Sequence, residues 1–160
     1  MSEFVSSLGP MLTLLGAAFA AFLPGYGSAK AVSRVGQAVN GVLAEQPELF
    51  GRALIIQALP GTQGIYGLLT FFLILTRSGF MADGFAVEIS FFQGLLWLVA
   101  AMPIVVVGYL SAVYQAKVCE TGIALIAKRG DQQARVIVLA VVVETYAIFA
   151  LLASVLTIFS

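Results

Sequence analysis

Val136-Ile137-Val138-Leu139-Ala140-Val141-Val142-Val143-Glu144-Thr145-Tyr146-Ala147-Ile148-Phe149-Ala150-Leu151-Leu152-Ala153-Ser154-Val155-Leu156-Thr157-Ile158 decides how this sequence folds. A helix needs roughly 20 apolar residues to cross the hydrocarbon of a bilayer. This run is long enough, and it holds a single charged group, Glu144, near its middle. An ionised side chain at that depth costs at least ~2.5 to 3.5 kcal/mol on insertion scales. A packing role alone does not justify such a cost, so Glu144 is expected to carry function.

The rest of the chain has the same character. Of its 160 residues 61% are hydrophobic and 10% charged, where a soluble domain carries about 25% charged residues. Eight basic and eight acidic residues cancel, so nothing in the charge balance points to a nucleic-acid partner. Cys119 is the single cysteine and there is no histidine, which excludes an intramolecular disulfide and any Cys/His metal cluster. A bound metal would have to be held by oxygen.

Three further apolar stretches join the last one, giving predicted spans at Leu8–Leu43, Gly51–Thr76, Phe85–Ile126 and Gln133–Phe159. Lipid requires each span to satisfy its own backbone, so all four are helices. The first and third exceed what a bilayer requires and are expected to project beyond it. Charge with Pro or Gly marks the breaks, at Ala44-Glu45-Gln46-Pro47-Glu48, at Arg77-Ser78-Gly79 with Asp83-Gly84, and at Lys128-Arg129-Gly130-Asp131. Short connections make neighbouring helices antiparallel. The predicted class is therefore an all-α membrane protein of four transmembrane helices in two tandem hairpins, residues 1–80 and 81–160.

Met1-Ser2-Glu3 lacks a basic n-region, so the first span reads as retained rather than cleaved. Lys30, Arg34, Arg52, Lys117, Lys128, Arg129 and Arg135 flank the first and third connections, while Arg77 alone lies near the second. The positive-inside rule places those two connections in the cytoplasm and both termini outside.

The hairpins repeat one another. Ser28-Ala29-Lys30 in the first helix resembles Gln115-Ala116-Lys117 in the third, and Gln63 in the second corresponds to Glu144 in the fourth. Small residues crowd the odd helices: Gly16-Ala17-Ala18 and Gly25-Tyr26-Gly27-Ser28-Ala29 in the first, and Ala101, Gly108, Ala112, Cys119 and Gly122 along one face of the third. Small residues let membrane helices approach closely. The odd helices are thus expected to form a tight inner layer, with the bulkier even helices outside and Pro24 and Pro103 bending the odd ones.

Leu59-Pro60-Gly61-Thr62-Gln63-Gly64-Ile65-Tyr66-Gly67 in the second span puts Leu59, Thr62, Gln63 and Tyr66 on one helical face. That face presents a hydroxyl, an amide and a phenol. Pro60 and Gly61 loosen local hydrogen bonding and free the Leu59 carbonyl to turn toward a ligand. Gln115 shares the small-residue face of the third helix and is expected to point inward, adding a second amide oxygen. One carboxylate among several neutral oxygens suits a hard monovalent cation, since calcium or magnesium ordinarily takes more carboxylates. A proton site needs little beyond Glu144 itself. The two glutamines and the threonine therefore favour Na⁺, with H⁺ as the alternative.

Pro60-Gly61-Thr62-Gln63-Gly64-Ile65-Tyr66-Gly67, Gln115-Ala116-Lys117 and Val143-Glu144-Thr145-Tyr146-Ala147-Ile148 together resemble the K (c-type, proteolipid) subunit of the rotor ring of bacterial V/A-type sodium-transporting ATPases. The resemblance covers nearly the whole chain and implies a double hairpin whose copies assemble into a homo-oligomeric ring with one ion site each. It makes Glu144 the essential carboxylate, and Thr62, Gln63, Gln115 and the Leu59 carbonyl the sodium ligands. Tyr66 would close the site by a hydrogen bond to Glu144. It further implies a stator membrane subunit that supplies an arginine, and central-stalk subunits bound at the cytoplasmic connections.

ATP would be hydrolysed by other subunits, since no GxxxxGK[ST] phosphate loop occurs here. Arg34, Glu120, Ala31 and Ser33 depart from the family pattern and bear on the inner packing. A small four-helix cation/drug antiporter is the reading from another class. Such transporters carry their essential glutamate in the first helix and lack the repeated hairpin.

Overall fold

The computed structural model describes the backbone of residues 2–160 and the side chains of residues 8–84 and 86–160. Met1, at the head of the expected uncleaved N-terminus, and the Phe85 side chain, at the expected start of the third span, lie outside the described residues. Four helical rods run through the protein, and all four are long and apolar enough to cross a membrane: Leu8–Leu43, Pro47–Arg77, Phe91–Lys128 and Gly130–Phe159.

The first rod is one helix, α1 (Ser2–Leu43), continuous through Pro10 and Pro24. In the second, α2 (Phe50–Ala58) and α3 (Thr62–Arg77) meet at a 3₁₀ turn, Leu59–Gly61, where Pro60 has no N–H to donate back along the helix. A short helix, α4 (Phe80–Asp83), follows Gly79 at φ 88°, a left-handed conformation that suits glycine.

The third rod starts later than its composition implies. Residues 87–90 are not helical, and α5 (Phe91–Pro103) begins where the Ser90 hydroxyl accepts from Gln93 N and the Gln93 side chain accepts from Ser90 N. This reciprocal cap satisfies two otherwise unpaired donors and fixes the start. Beyond Pro103 the helix widens into a π-helical segment, Ile104–Gly108, before continuing as α6 (Tyr109–Lys128). Proline removes one donor of the helical ladder, and here Ser154 Oγ accepts from Ile104 N at 3.3 Å. The last rod is α7 (Gln133–Phe159).

The odd rods pack through glycines, as their small residues imply. A Cβ on Gly94 would overlap the Gly9 carbonyl, one on Gly16 would come within 2.8 Å of Leu98 Cα, and one on Gly27 within 3.0 Å of Tyr109 Cα. Gly108 faces the buried Pro24 ring. In the most apolar stretches of the odd rods 39% of residues are buried, against 28% in the even rods, which leave more of their surface exposed.

Two apolar clusters form the core. One gathers Val35, Ile56, Cys119, Ile123 and Val136, and the other Ala17, Ile74, Ala101, Ile104 and Ile158. Between them lies a polar layer.

Candidate ion-binding site

The polar layer contains Ser28, Gln63, Ser111, Gln115 and Glu144, all buried, with Thr62 and Tyr66 half-buried beside them. Each arrives there by helical register. Thr62 and Tyr66 stand one turn apart on α3, and Ser111 and Gln115 one turn apart on α6. Glu144, 7% exposed, sits at the edge of the buried stripe of α7.

Glu144 accepts from three donors. Thr62 Oγ1 and Tyr66 OH each donate to its Oε1 at 2.7 Å, and Gln115 Nε2 donates to its Oε2 at 3.3 Å. The chain's ion pairs among the described residues are Arg34–Glu120 and Arg129–Asp131, and neither engages Glu144. This buried carboxylate therefore has hydrogen bonds but no fixed counter-charge within the described residues.

The orientation of the two glutamines follows from what surrounds them. Gln115 Nε2 lies 3.1 Å from the Ala140 carbonyl, which can only accept, so the Gln115 oxygen must face the other way. There it accepts from Gln63 Nε2 at 2.6 Å. Gln63 Nε2 also lies 3.4 Å from Ser111 Oγ, whose hydroxyl donates to the Val143 carbonyl at 3.1 Å. With its nitrogen committed, Gln63 turns its carbonyl oxygen toward Thr62.

The result is a cluster of oxygens with one hydroxyl proton among them. Thr62 Oγ1 lies 3.1 Å from the Leu59 carbonyl, 3.5 Å from Gln63 Oε1 and 2.7 Å from Glu144 Oε1. A hydroxyl donates once, and the charged, nearest acceptor takes that proton. Leu59 O and Gln63 Oε1 are left as acceptors facing the same point. The 3₁₀ turn at Pro60 is what places Leu59 O there, accepting from the Thr62 backbone N–H and lying 3.1 Å from Thr62 Oγ1.

Every residue singled out from sequence thus meets in one layer: Leu59, Thr62, Gln63, Tyr66, Gln115 and Glu144. Gln115 differs in detail. Its amide nitrogen faces Glu144 while its oxygen faces Gln63. Sequence reasoning missed Ser111, which backs both Gln63 and α7. It stands four residues before Gln115 on the same face, and that spacing was the available signal. Ser28 stands out in the sequence only through the repeat; its hydroxyl accepts from Gly64 N at 2.9 Å, joining α1 to α3 beside the site as Gln115 joins α6 to α7.

A double hairpin with a carboxylate held in a mid-membrane polar layer is the architecture of a proteolipid of a rotary ring. The sequence pattern of the ATP synthase C subunit matches the chain twice, over residues 15–74 and 98–157, once in each hairpin, and the chain belongs to that family. It is 40% identical over 146 residues to the V-type sodium ATPase subunit K of Enterococcus hirae, covering 91% of this chain and 89% of that one. It is also 34% identical over 146 residues to the A-type ATP synthase subunit K of Methanocaldococcus jannaschii, covering 91% of this chain and 61% of that one. The chain is therefore a multi-pass membrane protein, a K/c-type subunit of the rotor ring of a rotary V/A-type ATPase, and not itself catalytic.

Proposed function

We propose that this protein carries Na⁺, bound by Glu144, Thr62, Gln63, Gln115 and the Leu59 carbonyl, with Tyr66 closing the site. The observation that carries the reading is the convergence of Leu59 O, Thr62 Oγ1, Gln63 Oε1 and Glu144 Oε1 with one proton among them. Neutral oxygens replace the hydration shell of a hard monovalent cation, and the carboxylate neutralises it. Gln115 Oε1 accepts one hydrogen bond from Gln63 and keeps a second lone pair for the ion. A proton carrier has no use for Gln63 Oε1 and Leu59 O in that position. The sodium named in the Enterococcus hirae relative supports the same choice.

Occupancy then governs movement. With Na⁺ bound, the Glu144 charge is compensated and the protein can pass through lipid; emptied, it presents an uncompensated carboxylate whose exposure to hydrocarbon is costly. A stator subunit offering an arginine would release the ion on one side and let the site reload from the other. ATP hydrolysis in a separate head would turn the ring through stalk subunits held at residues 45–50 and 128–131. In this arrangement residues 1–80 and 81–160 are the two hairpins, and both termini face away from the cytoplasm, in keeping with the basic residues around the first and third connections.

A carbodiimide that attacks protonated carboxyls tests the ion. Na⁺ is expected to protect Glu144 in the isolated ring, with K⁺ much weaker. Equal labelling with and without Na⁺ would leave H⁺ as the cargo.

A further inference from the structure

Tyr146 is the midpoint of α7, thirteen residues from either end, so its backbone lies roughly 20 Å from each helix terminus. It is 62% exposed. Its ring meets Phe149 edge-on, and its hydroxyl has no hydrogen-bond partner among the described residues. A phenol at that depth cannot reach either membrane surface, and lipid offers no acceptor. A polar partner from outside the chain is required.

Helical geometry says where that partner stands. Thr62 of α3 and Glu144 of α7 meet across the site. Both helices follow a connection on the same side of the membrane and run parallel. Two residues further along each are Gly64 and Tyr146, at equal depth and turned about 200° from the contact that joins the helices. Gly64 therefore marks the flank of α3 away from α7, and Tyr146 the flank of α7 away from α3. Repeating the pair around a ring brings Tyr146 of one copy against the Gly64 flank of the next.

That flank is shaped to receive a ring. A Cβ on Gly25 would meet nothing within 4 Å, and Gly25 Cα lies against Gly64, so the two glycines form a notch between α1 and α3. Ser28 borders it. This serine is 6% exposed, and its hydroxyl accepts from Gly64 N and donates to no group among the described residues.

We propose that Tyr146 joins neighbouring subunits, its phenol entering the Gly25–Gly64 notch of the next copy and donating its O–H to the Ser28 oxygen there, which keeps a second lone pair beside the bond from Gly64 N. The contact is heterologous, one face to a different face, as a closed ring requires. It also sets each phenol against the backbone that carries Thr62 and Gln63 in the neighbouring copy. The inference rests on the ring assembly of the family.

The test places a photoreactive benzoylphenylalanine at Tyr146 in the assembled ring. Irradiation is expected to give a ladder of cross-linked multimers, with attachment mapped by mass spectrometry to residues 21–28 or 61–68. A ring of normal size in mild detergent that attaches only to lipid or to other segments would overturn the contact and leave the ring intact as a reading. A wild-type chain that runs as a small species would instead strike at the assembly. Independently, Tyr146→Phe keeps the ring shape and loses the hydroxyl, so dissociation of the ring in denaturing detergent should quicken roughly three- to twentyfold, the range for one hydrogen bond between membrane helices. An unchanged rate refutes the bond.

Discussion

Replacing Thr62 with valine removes one oxygen from the site and leaves the shape of the side chain almost unaltered. The Thr62 hydroxyl donates to Glu144 at 2.7 Å and stands within 3.5 Å of both remaining carbonyl oxygens. A hydrogen bond to a charged group is worth about 1.5 to 3 kcal/mol, and on the proposed reading the same oxygen is also an ion ligand. With ~1.4 kcal/mol per factor of ten, Na⁺ affinity should fall roughly ten- to hundredfold. Equilibrium binding of radioactive Na⁺ to purified rings measures this directly, with ring size in detergent as the control for assembly. Intact Thr62→Val rings that bind Na⁺ as tightly as the parent would refute the claim that this oxygen cluster is the cation site, since the cluster has no other member so central.

Two further outcomes follow from the hydrogen bonding and packing around the site. Tyr66→Phe removes the second short bond to Glu144 Oε1 without removing a proposed ligand, so bound Na⁺ should exchange several-fold faster in a filter assay while ring assembly persists. Glycine substitutions should divide by contact. A Cβ on Gly67 would overlap the Ala20 carbonyl and crowd Pro24, whereas one on Gly41 meets nothing. Gly67→Ala is thus expected to cost about 1 to 3 kcal/mol by overpacking, and Gly41→Ala to stabilise α1 by roughly 0.5 to 1 kcal/mol. Thermal aggregation of the detergent-solubilised protein ranks the two, and reversed ranking would contradict the α1–α3 packing.

The spans are legible because lipid leaves a sequence few options: a long apolar run must be a helix. The site is legible because polar groups in such runs are costly, so Thr62, Gln63, Gln115 and Glu144 stand out against their neighbours. What composition hides is where a helix begins or loosens. Residues 85–92 are largely apolar and put the start of the third rod at Phe85, yet the Ser90–Gln93 cap decides it. At the π-helical segment after Pro103 the Ile104 N–H is taken by Ser154, fifty residues away, and no local pattern announces such a pairing. The turned amide of Gln115 likewise depends on the Ala140 carbonyl across an interface.

The placement of charge explains why Glu144 stands apart. Arg34 holds Glu120 at 2.7 Å and Arg129 holds Asp131 at 3.2 Å, both exposed pairs of the kind that contributes little to stability. Had a basic residue of this chain been placed beside Glu144, the carboxylate would be neutral permanently and no cargo would be needed to cross the lipid. Three neutral donors do something different. They hold the carboxylate in position and leave its charge in place. On the proposed reading, a site so built favours a mobile cation over a fixed one, and it makes the cost of exposing Glu144 depend on whether that cation is present. That dependence is the proposed coupling between ion and rotation, and it resides in the absence of a fixed counter-charge among the described residues as much as in the ligands themselves.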